Sequence, residues 1–396
     1  MSAYPDQTDP GWRRRLRSRV LRWYAEHGRT LPWRESADPY RIWISEIMLQ
    51  QTTVAAVVPY FERFLDRFPD VHALAAADVE EVLRLWEGLG YYSRARNLHK
   101  AAGVIVTEHA GEFPADRDAL QTLPGVGPYT AGAIASFAFN LPAGILEANT
   151  IRLYSRLIAL DIDPRGSRGQ KTLWSFADWV VARKRAGDFN QAVMDLGSQV
   201  CTPADPPCPR CPLMASCKAY ELGRQDEIPL EKKKVAPTDV VEVSVAISKG
   251  GQFLLRQRQE NERWAGLWDF VRFEIEPADE QQIESPPRSR VRASGLRGQR
   301  DLFDRDELVA RPVLPSRVAS AIGERTGLLV DQYRPMKEIR HAVTRYRIRL
   351  LCMVCESPAG RIKRGSGYRW CSATELQTLP LSTTGRQFAD LLTQAD

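Results

Sequence analysis

Four closely spaced cysteines constrain the fold of this chain more than any other feature of its sequence: Cys201, Cys208, Cys211 and Cys217. Thiolates this close together can wrap around one metal ion or cluster. Structural zinc sites commonly use two C-x-x-C pairs, whereas only the second and third cysteines here have that spacing. The uneven spacing therefore favours a 4Fe–4S cluster held by all four cysteines. Zinc, and four cysteines with no common ligand, are the alternatives.

The rest of the composition predicts a cytoplasmic protein. The chain has 396 residues, a length typical of two domains. It has seven cysteines, and an odd number excludes a framework made only of disulfides. No apolar run approaches the roughly 20 residues of a membrane span, and the arginine-rich start does not look like a secretory signal. The net charge of +6 permits a polyanionic partner without requiring one.

The hydrophobic period changes along the chain and predicts two domains. Residues 11–225 follow a helical period near 3.6, after which the sequence alternates with a period of two. Between them, residues 226–239 contain prolines and a lysine run and are predicted to be a linker. In the second domain, 240–393, we predict strands at 240–248, 252–258, 268–274 and 337–355, and a helix near 316–326. Residues 276–312 lack periodicity and are predicted to be a mobile insertion.

A Pro-Gly-x-Gly turn at 123–130 precedes an apolar helical stretch. Gly125 and Gly127 allow a tight turn and expose N–H groups at the start of the next helix, where the helix dipole favours an anion. The pattern is typical of a helix-hairpin-helix that binds a DNA phosphate without reading sequence. The alternative is an ordinary turn without a ligand.

Two carboxylates are candidates for the chemistry. Glu46 shares a helix face with Ile42 and Leu49, so its pKa should rise and make it a general acid near neutral pH. Glu147 precedes Asn149, which we predict to cap the following helix. The alternatives are an ion-paired or groove-edge glutamate at 46 and a partner of the helix dipole at 147.

Taken in this order along the chain, these features resemble the helix-hairpin-helix DNA glycosylases of the endonuclease III superfamily. Three further segments resemble the adenine DNA glycosylases, the MutY family: LPWR at 31–34, WEGLGYYSRARNLH at 86–99 and FNQAVMDLG at 189–197. The resemblance is dense over 11–225 and loose over 240–390. Enzymes of this family remove adenine mispaired with 8-oxoguanine, so the same activity is expected here.

The resemblance implies roles for the catalytic candidates. Glu46 is similar to the family's proton donor to adenine. Glu147, two residues before Asn149, is similar to the carboxylate that stabilises the oxocarbenium-like sugar. Tyr129 occupies the position where bifunctional relatives carry a lysine nucleophile, so base removal without efficient strand cleavage is expected.

The resemblance also implies which residues bind the substrate. Arg34 and Gln191 match residues that line the adenine pocket. Gln51 and Tyr91 match residues that wedge beside the 8-oxoguanine, since a flipped base leaves a gap that must be filled. For Tyr91, the alternative is packing in the core.

Two departures from the family lie in the helical domain. The family usually has aspartate where this chain has Glu147, and one more methylene shifts the carboxylate by about 1 Å. The loop at 202–207 lacks the basic residues that are expected to contact phosphate, which puts its share of the DNA affinity in doubt.

The second domain resembles the Nudix fold. A Nudix metal site needs several clustered glutamates, whereas the stretch 319–328 has only Glu324, so pyrophosphohydrolase activity is not expected. In the family this domain checks the opposite base with a Phe-Ser-His loop, with which residues 343–345 align. Thr344 keeps a hydroxyl that can hydrogen-bond to a base edge. The alternative is that these residues are ordinary strand.

The predicted fold is an all-α helix-hairpin-helix glycosylase domain with an iron–sulfur cluster loop, followed by an α+β Nudix-like domain. The predicted protein is a monomeric, nucleoid-associated, monofunctional glycosylase. It acts in base excision repair on double-stranded DNA that contains A:8-oxoguanine or A:G mispairs. A pyrimidine-mismatch glycosylase on the same fold is one alternative, which Glu46 disfavours. A catalytically silent mismatch-binding protein is the other, and Glu147 is the one hint toward it.

Overall fold

The computed structural model describes residues 11–230, 236–284 and 312–394. Up to residue 230 the described chain is helical, as the 3.6-residue period predicts. Its helices are α1 (Trp12–His27), α2 (Pro39–Met48), α3 (Val54–Arg67), α4 (Val71–Ala76), α5 (Val79–Leu85), α6 (Ser93–Glu108), α7 (Arg117–Gln121), α8 (Pro128–Phe137), α9 (Ala148–Leu157), α10 (Ser167–Val180), α11 (Ala186–Gln199) and α12 (Lys218–Glu221).

Side-chain caps and a glycine set several of these helix ends. α2 begins after Asp38, whose carboxylate accepts a hydrogen bond from the backbone N–H of Tyr40. Asp78 lies directly before α5, and its carboxylate accepts from the N–H of Glu80 at 2.8 Å. α1 ends at His27, and the N–H of the next residue, Gly28, donates to the carbonyl oxygen of Tyr24. These contacts satisfy backbone groups that a helix leaves unpaired at its ends.

A helical core forms where α1, α9, α10 and α11 pack together. Its buried side chains include Leu16, Val20, Leu153, Phe176 and Phe189. α7 and α8 form the predicted helical hairpin, and α8 packs against both α2 and α11. The start of α8 therefore lies close to the helix that carries Glu46.

From residue 236 onward the described chain builds a mixed sheet. Its strands are β1 (Thr238–Lys249), β2 (Gln252–Gln257), β3 (Trp268–Asp269), β4 (Val271–Glu274), β5 (Leu328–Leu329), β6 (Arg334–Val343), β7 (Tyr346–Glu356), β8 (Ala359–Gly360) and β9 (Tyr368–Ser372). The main sheet has the order β3-β2-β1-β7-β6, while β4 also pairs with β1 and β9 with β2. β1 and β7 run parallel along their whole shared length. β5 and β8 form a separate pair.

Helices cover both faces of this sheet. α14 (Ser316–Thr326) packs through Ile322 in the same core as Val243 of β1. Leu376 of α15 (Ala373–Thr378) and Phe388 of α16 (Thr383–Thr393) lie in a second core with Ala246 of the same strand. Because successive strand residues point to opposite faces, β1 contributes to both cores. The arrangement confirms the predicted α+β class.

Two details of the predicted second domain are wrong. The stretch 337–355 is not one strand, because β6 and β7 form a hairpin that turns at residues 344 and 345. The predicted irregular insertion at 276–312 is helical over Pro277–Glu284 (α13), where proline suits the first helical turn and Ile283 is buried. Residues 285–311 lie outside the described residues.

Contacts between Cα atoms divide the chain into two compact parts. The helical part contains Met1–Leu85 and Arg94–Lys234, and the sheet part contains Trp86–Ser93 and Val235–Asp396. The short segment Trp86–Ser93 therefore belongs with the sheet, where Arg386 Nε lies 2.8 Å from Oε1 of Glu87. Within the described ranges, no helix combines the length and apolar character needed to cross a bilayer.

Candidate functional site

A cavity of about 880 Å³ opens in the helical part of the chain. It lies between α2, the hairpin before α8, the start of α9 and α11. Many of the residues singled out from the sequence line it: Arg34, Glu46, Gln51, Gly125, Gly127, Tyr129, Glu147, Asn149 and Gln191. The fold thus brings both candidate carboxylates, the hairpin glycines and the expected pocket residues to one place.

Glu46 is a buried carboxyl with one hydroxyl partner. It is 4% exposed, and the hydroxyl of Tyr129 donates to its Oε2 at 2.5 Å. Burial raises the pKa of Glu46 to about 7, although the bond from Tyr129 and the charge of Arg34 oppose the shift. Repulsion from Glu147 adds to the rise. A large fraction of Glu46 therefore carries a proton near neutral pH.

Tyr129 reaches Glu46 from the first turn of α8. Pro128 occupies the first position of that helix and favours a helix start there, so Tyr129 is its second residue. Burial raises the pKa of Tyr129 well above its usual value, and the negative charge of Glu46 adds to the rise. The phenol therefore stays protonated and acts as a hydrogen-bond donor in this site.

Glu147 is the N-cap of α9. Its two carboxylate oxygens accept the backbone N–H groups of Asn149 and Thr150, each at 2.8 Å. The hydroxyl of Thr150 in turn accepts from the N–H of Glu147 at 2.8 Å, which completes a capping box. Burial raises the pKa of Glu147, while the backbone N–H groups favour its charged form.

The prediction that Asn149 caps this helix is wrong. The helix begins two residues earlier than that cap predicts, at Ala148, because the side chain of Glu147 is long enough to reach the first free N–H groups. Asn149 instead donates from Nδ2 to Oε2 of Glu147 at 3.2 Å, and its Oδ1 accepts from Arg152. Asn149 therefore helps to hold the carboxylate in place.

Arg34 is fixed by a buried carboxylate behind the cavity wall. Its Nη1 and Nη2 lie 2.8 and 3.1 Å from the two carboxylate oxygens of Asp195, and Nη2 of Arg29 lies 2.6 Å from Oδ1 of the same group. Burial alone would raise the pKa of Asp195, but the bonds from Arg34 and Arg29 hold it below its usual value. The guanidinium of Arg34 is thus held in one orientation.

The two hairpin glycines differ in their surroundings. Gly125 has φ +76°, and a Cβ there would lie 2.7 Å from Cβ of Asn97, so a side chain would not fit. Gly127 is the N-cap of α8 with φ −87°, and a Cβ there would meet no atom within 4 Å. The backbone at Gly127 is therefore open to an anion at the helix N-terminus.

Gln51 lies just beyond the C-terminal end of α2 in a left-handed conformation, with φ +60°. Its side chain is exposed. Arg94 secures this end of the helix, because its Nη1 donates to the carbonyl oxygens of Ile47 and Gln50 at 2.5 and 2.7 Å. A non-glycine residue held in this conformation is often found at functional sites.

Tyr91 and Thr344 lie in the sheet part of the chain and are described separately from the cavity. Tyr91 is 49% exposed and has φ +47°, so it is not a core residue. Thr344 lies at the tip of the β6–β7 hairpin with φ +54°, and its exposed hydroxyl donates to the carbonyl of Val343. Position 344 is therefore a turn rather than ordinary strand.

The four clustered cysteines surround one small cavity in the helical part: Cys201, Cys208, Cys211 and Cys217. All are free thiols. Among the described residues, no three His, Cys, Asp or Glu side chains come close enough together to hold a single metal ion. Four thiols that line one space could together hold a metal cluster.

A buried cation beside these cysteines also fits an anionic cluster. Arg156 is 2% exposed, and its Nη1 lies 3.3 Å from Sγ of Cys201. Its remaining bonds go to the carbonyl oxygens of Thr202, Pro203 and Ile228. In the described part of the chain it has no carboxylate partner. A buried cation needs a compensating negative charge, which thiolates bound to a cluster provide.

Known protein families match both the helical part and the sheet part of the chain. Residues 44–178 match the HhH-GPD superfamily of base excision DNA repair proteins, and residues 243–391 match the NUDIX domain. The adenine DNA glycosylase of Buchnera aphidicola subsp. Schizaphis graminum is 38% identical over 256 residues, which cover 64% of this chain and 74% of that protein. This chain belongs to the adenine DNA glycosylase family.

Two further proteins are similar to this chain. The adenine DNA glycosylase of Mus musculus is 36% identical over 319 residues, and the match spans 67% of this chain and 62% of the mouse protein. The solved structure of a thermostable thymine-DNA glycosylase is 29% identical with a TM-score of 0.50, and covers 54% of this chain and 98% of that one. The chain thus spans less than two thirds of the length of its mouse relative.

Two residues behind the cavity wall hold pocket residues in place, and the sequence analysis did not single out either of them. Asp195 fixes Arg34 and Arg29, and it lies within the segment 189–197 that carries the family resemblance. Its helix, α11, also carries Asp188, Asn190 and Gln191, so the signal that identified Glu46, a single carboxylate among apolar residues, is absent here. Tyr24, which contacts Gln191, carries no comparable sequence signal.

Proposed function

We propose that this protein is a monofunctional DNA glycosylase that removes adenine paired with 8-oxoguanine or guanine. The observation that carries the proposal is the pair of carboxyl groups at one cavity. Burial raises the pKa of Glu46 to about 7, so much of it holds a proton near neutral pH, whereas the backbone N–H groups at the start of α9 oppose the rise that burial gives the pKa of Glu147. A protonated acid and a charged carboxylate at one site suit the cleavage of an N-glycosidic bond.

The chain's own residues account for each step of this reaction. Adenine leaves the DNA stack and enters the cavity, where Arg34 and Gln191 line the wall. Glu46 transfers its proton to a ring nitrogen of adenine, and the electrons of the glycosidic bond leave with the base. The carboxylate of Glu147 stabilises the cationic sugar that results, until water adds to it and gives up a proton, which the deprotonated Glu46 can accept.

Tyr129 makes this a reaction without strand cleavage. A bifunctional enzyme needs an amine that attacks the sugar, and the side chain at this position is instead a phenol. Because its pKa is raised well above the usual value, the phenol stays neutral and remains bonded to Glu46. The expected product is therefore an abasic site in an intact strand.

Backbone groups of the hairpin support DNA binding in this proposal. The open backbone at Gly127 precedes α8, so the first N–H groups of that helix can bind a phosphate. Gln51, exposed at the end of α2, is the side chain that we expect to fill the gap left by the flipped base. We infer that the protein acts as a monomer on double-stranded DNA in the cytoplasm, where it is associated with the nucleoid.

We infer that the four cysteines hold a 4Fe–4S cluster. The four thiols around one cavity and their uneven spacing support this assignment, and the buried guanidinium of Arg156 would balance the charge of the bound thiolates. When bound through Cys201, Cys208, Cys211 and Cys217, such a cluster would fix the loop between them. Loop residues 202–207 contain no lysine or arginine, so we expect the hairpin to contribute more of the phosphate contacts than this loop does.

We infer that the sheet part reads the base opposite adenine. Its hairpin presents Thr344 at an exposed tip, and the hydroxyl can donate to or accept from a base edge. Tyr91, exposed and in a strained conformation within the same part, is the proposed wedge beside that base.

Base release from a panel of duplexes tests the proposal. The duplexes contain A:8-oxoguanine, A:G, T:G or U:G, and free bases are separated by chromatography after a single turnover. Adenine release from the first two, with strand breaks only after alkali, is the expected result. Release of thymine or uracil instead would favour the pyrimidine activity named for the structural relative. Binding without any release would identify a silent mismatch-binding protein.

A further inference from the structure

Tyr24 of α1 lies behind the cavity wall rather than in it. Its hydroxyl donates to Oε1 of Gln191 at 2.6 Å, a short bond for two neutral groups. Gln191 lines the cavity, whereas Tyr24 does not. The two residues are far apart in sequence, so this bond joins the first helix of the chain to α11.

The ring of Tyr24 also lies against a second pocket residue. The guanidinium carbon of Arg34 is 5.9 Å from the centre of the ring, within the range of a weak cation–π contact. Arg34 has its own anchor in Asp195, but Gln191 has no other side-chain hydrogen bond among the described residues. Tyr24 therefore restrains the side chain of Gln191 more than that of Arg34.

Tyr24 keeps its hydroxyl proton in these surroundings. Burial raises its pKa, and the nearby negative charges of Asp195 and Asp188 add to the rise, while Arg34 and Arg29 oppose it. A neutral phenol can donate its single proton to one acceptor, and here that acceptor is the amide oxygen of Gln191. The bond restricts a side chain that would otherwise sample several rotamers.

We propose that Tyr24 is a positioning residue that orients the amide of Gln191 toward the base in the cavity. The inference rests on the proposed function. With Oε1 occupied by the phenol, the Nε2 donors of Gln191 are left for an acceptor atom of the bound base, such as a ring nitrogen of adenine. Tyr24 itself touches no reacting atom and contributes only through Gln191.

A double-mutant cycle tests this role. The variants are Tyr24→Phe, Gln191→Ala and the pair, and the rate of adenine release from an A:8-oxoguanine duplex is measured under single-turnover conditions. Loss of one neutral hydrogen bond should slow release by about 3- to 10-fold. The duplex dissociation constant and the melting temperature, measured in parallel, should change little, because the ring and its packing are retained.

Tyr40→Phe is the matched control. The hydroxyl of Tyr40 donates to the carbonyl of Phe68 at 2.8 Å, and Tyr40 does not line the cavity. If Tyr24→Phe slowed adenine release only because it destabilised the fold, Tyr40→Phe should slow adenine release as well. If Tyr24 acts through Gln191, Tyr24→Phe has no further effect in the Gln191→Ala background. Tyr40→Phe then has the same effect in both backgrounds.

The outcomes separate this inference from the function on which it rests. Equal slowing by Tyr24→Phe in the presence and absence of Gln191 would overturn the positioning role alone. So would a Tyr24→Phe rate equal to that of the parent. Failure of the parent to release adenine would overturn the proposed function, and this inference with it.

Discussion

Two glutamates at one cavity acquire different properties from their local backbone positions. Glu46 lies inside α2, where helix N–H groups are already paired and one phenol is its hydrogen-bond donor. Glu147 lies at the start of α9, where unpaired N–H groups bond to both of its oxygens. The sequence indicated the first setting, because helical spacing placed Glu46 among apolar residues. It did not indicate that Glu147, rather than Asn149, caps the next helix, because asparagine is a favoured N-cap residue and glutamate is not.

Glu147 is expected to tolerate shortening but not neutralisation. Glu147→Gln should slow adenine release by about 10²- to 10³-fold, since a developing cation loses its negative partner. Glu147→Asp should stay within about tenfold of the parent, because aspartate can make the same cap. The check is single-turnover release at equal DNA occupancy. If Glu147→Gln matches the parent rate, the carboxylate serves only as a helix cap, and the cation is stabilised elsewhere.

At the scale of elements, the sequence did not predict the β6–β7 turn, which contains neither glycine nor proline. The glycines at 125 and 127 marked the hairpin before α8, and their sequence pattern gave its position correctly. The β6–β7 turn instead uses Thr344 at φ +54°, and the apolar alternation continues on both sides of it. The sequence therefore predicted one long strand. Likewise, the sequence of 276–312 has no helical period that would have indicated the short helix α13.

The hairpin glycines provide a matched pair of variants. Gly125→Ala should lower the free energy of unfolding by about 1–3 kcal/mol, because alanine is strained at positive φ and its Cβ would meet Asn97. Gly127→Ala should leave the free energy of unfolding nearly unchanged, yet weaken binding to an undamaged duplex, since a methyl group would crowd the phosphate. Urea unfolding and fluorescence anisotropy measure the two effects. Unchanged DNA affinity in Gly127→Ala would argue against phosphate binding at this helix start.

The cysteine loop is expected to carry iron. Protein purified without oxygen should contain about four iron and four sulfide ions per chain, and Cys211→Ser should lower both. Cys371→Ser, which changes a buried thiol of the sheet part, is the control and should leave the iron content unchanged. Elemental analysis makes the measurement. One zinc per chain, with full base release, would contradict the cluster assignment.

At the scale of the whole molecule, the two parts of the chain are not two simple halves of the sequence. The period change near 240 indicated where the sheet begins. Nothing in the sequence indicated that Trp86–Ser93 belongs with the sheet part, because the ion pair of Glu87 with Arg386 joins residues almost 300 positions apart. Contacts between residues so distant leave no periodic signal in either segment.

Removal of the sheet part is expected to reduce selectivity more than chemistry. A chain that ends at Leu230 retains Ile228, whose carbonyl accepts from Arg156. It should still release adenine but prefer 8-oxoguanine over guanine less strongly. In the full chain, Thr344→Ala should shift the preference in the same direction by at most about tenfold.

The truncation also removes Arg386, the partner of Glu87. Arg386→Ala in the full chain therefore separates the loss of that ion pair from the loss of base reading. The measurement is the ratio of single-turnover rates on A:8-oxoguanine and A:G duplexes. An unchanged ratio in the truncated chain would assign the sheet part to another task.

The pH dependence of adenine release tests the role of Glu46 most directly. The carboxyl must be protonated to donate, and its raised pKa of about 7 means that the active form is present below that pH and lost above it. The single-turnover rate on an A:8-oxoguanine duplex should therefore fall as the pH rises from about 6 to 8.5. Glu46→Gln should be slower by orders of magnitude and show no such decline. A parent rate that stays constant or rises over this range, or a Glu46→Gln variant as fast as the parent, would contradict the account.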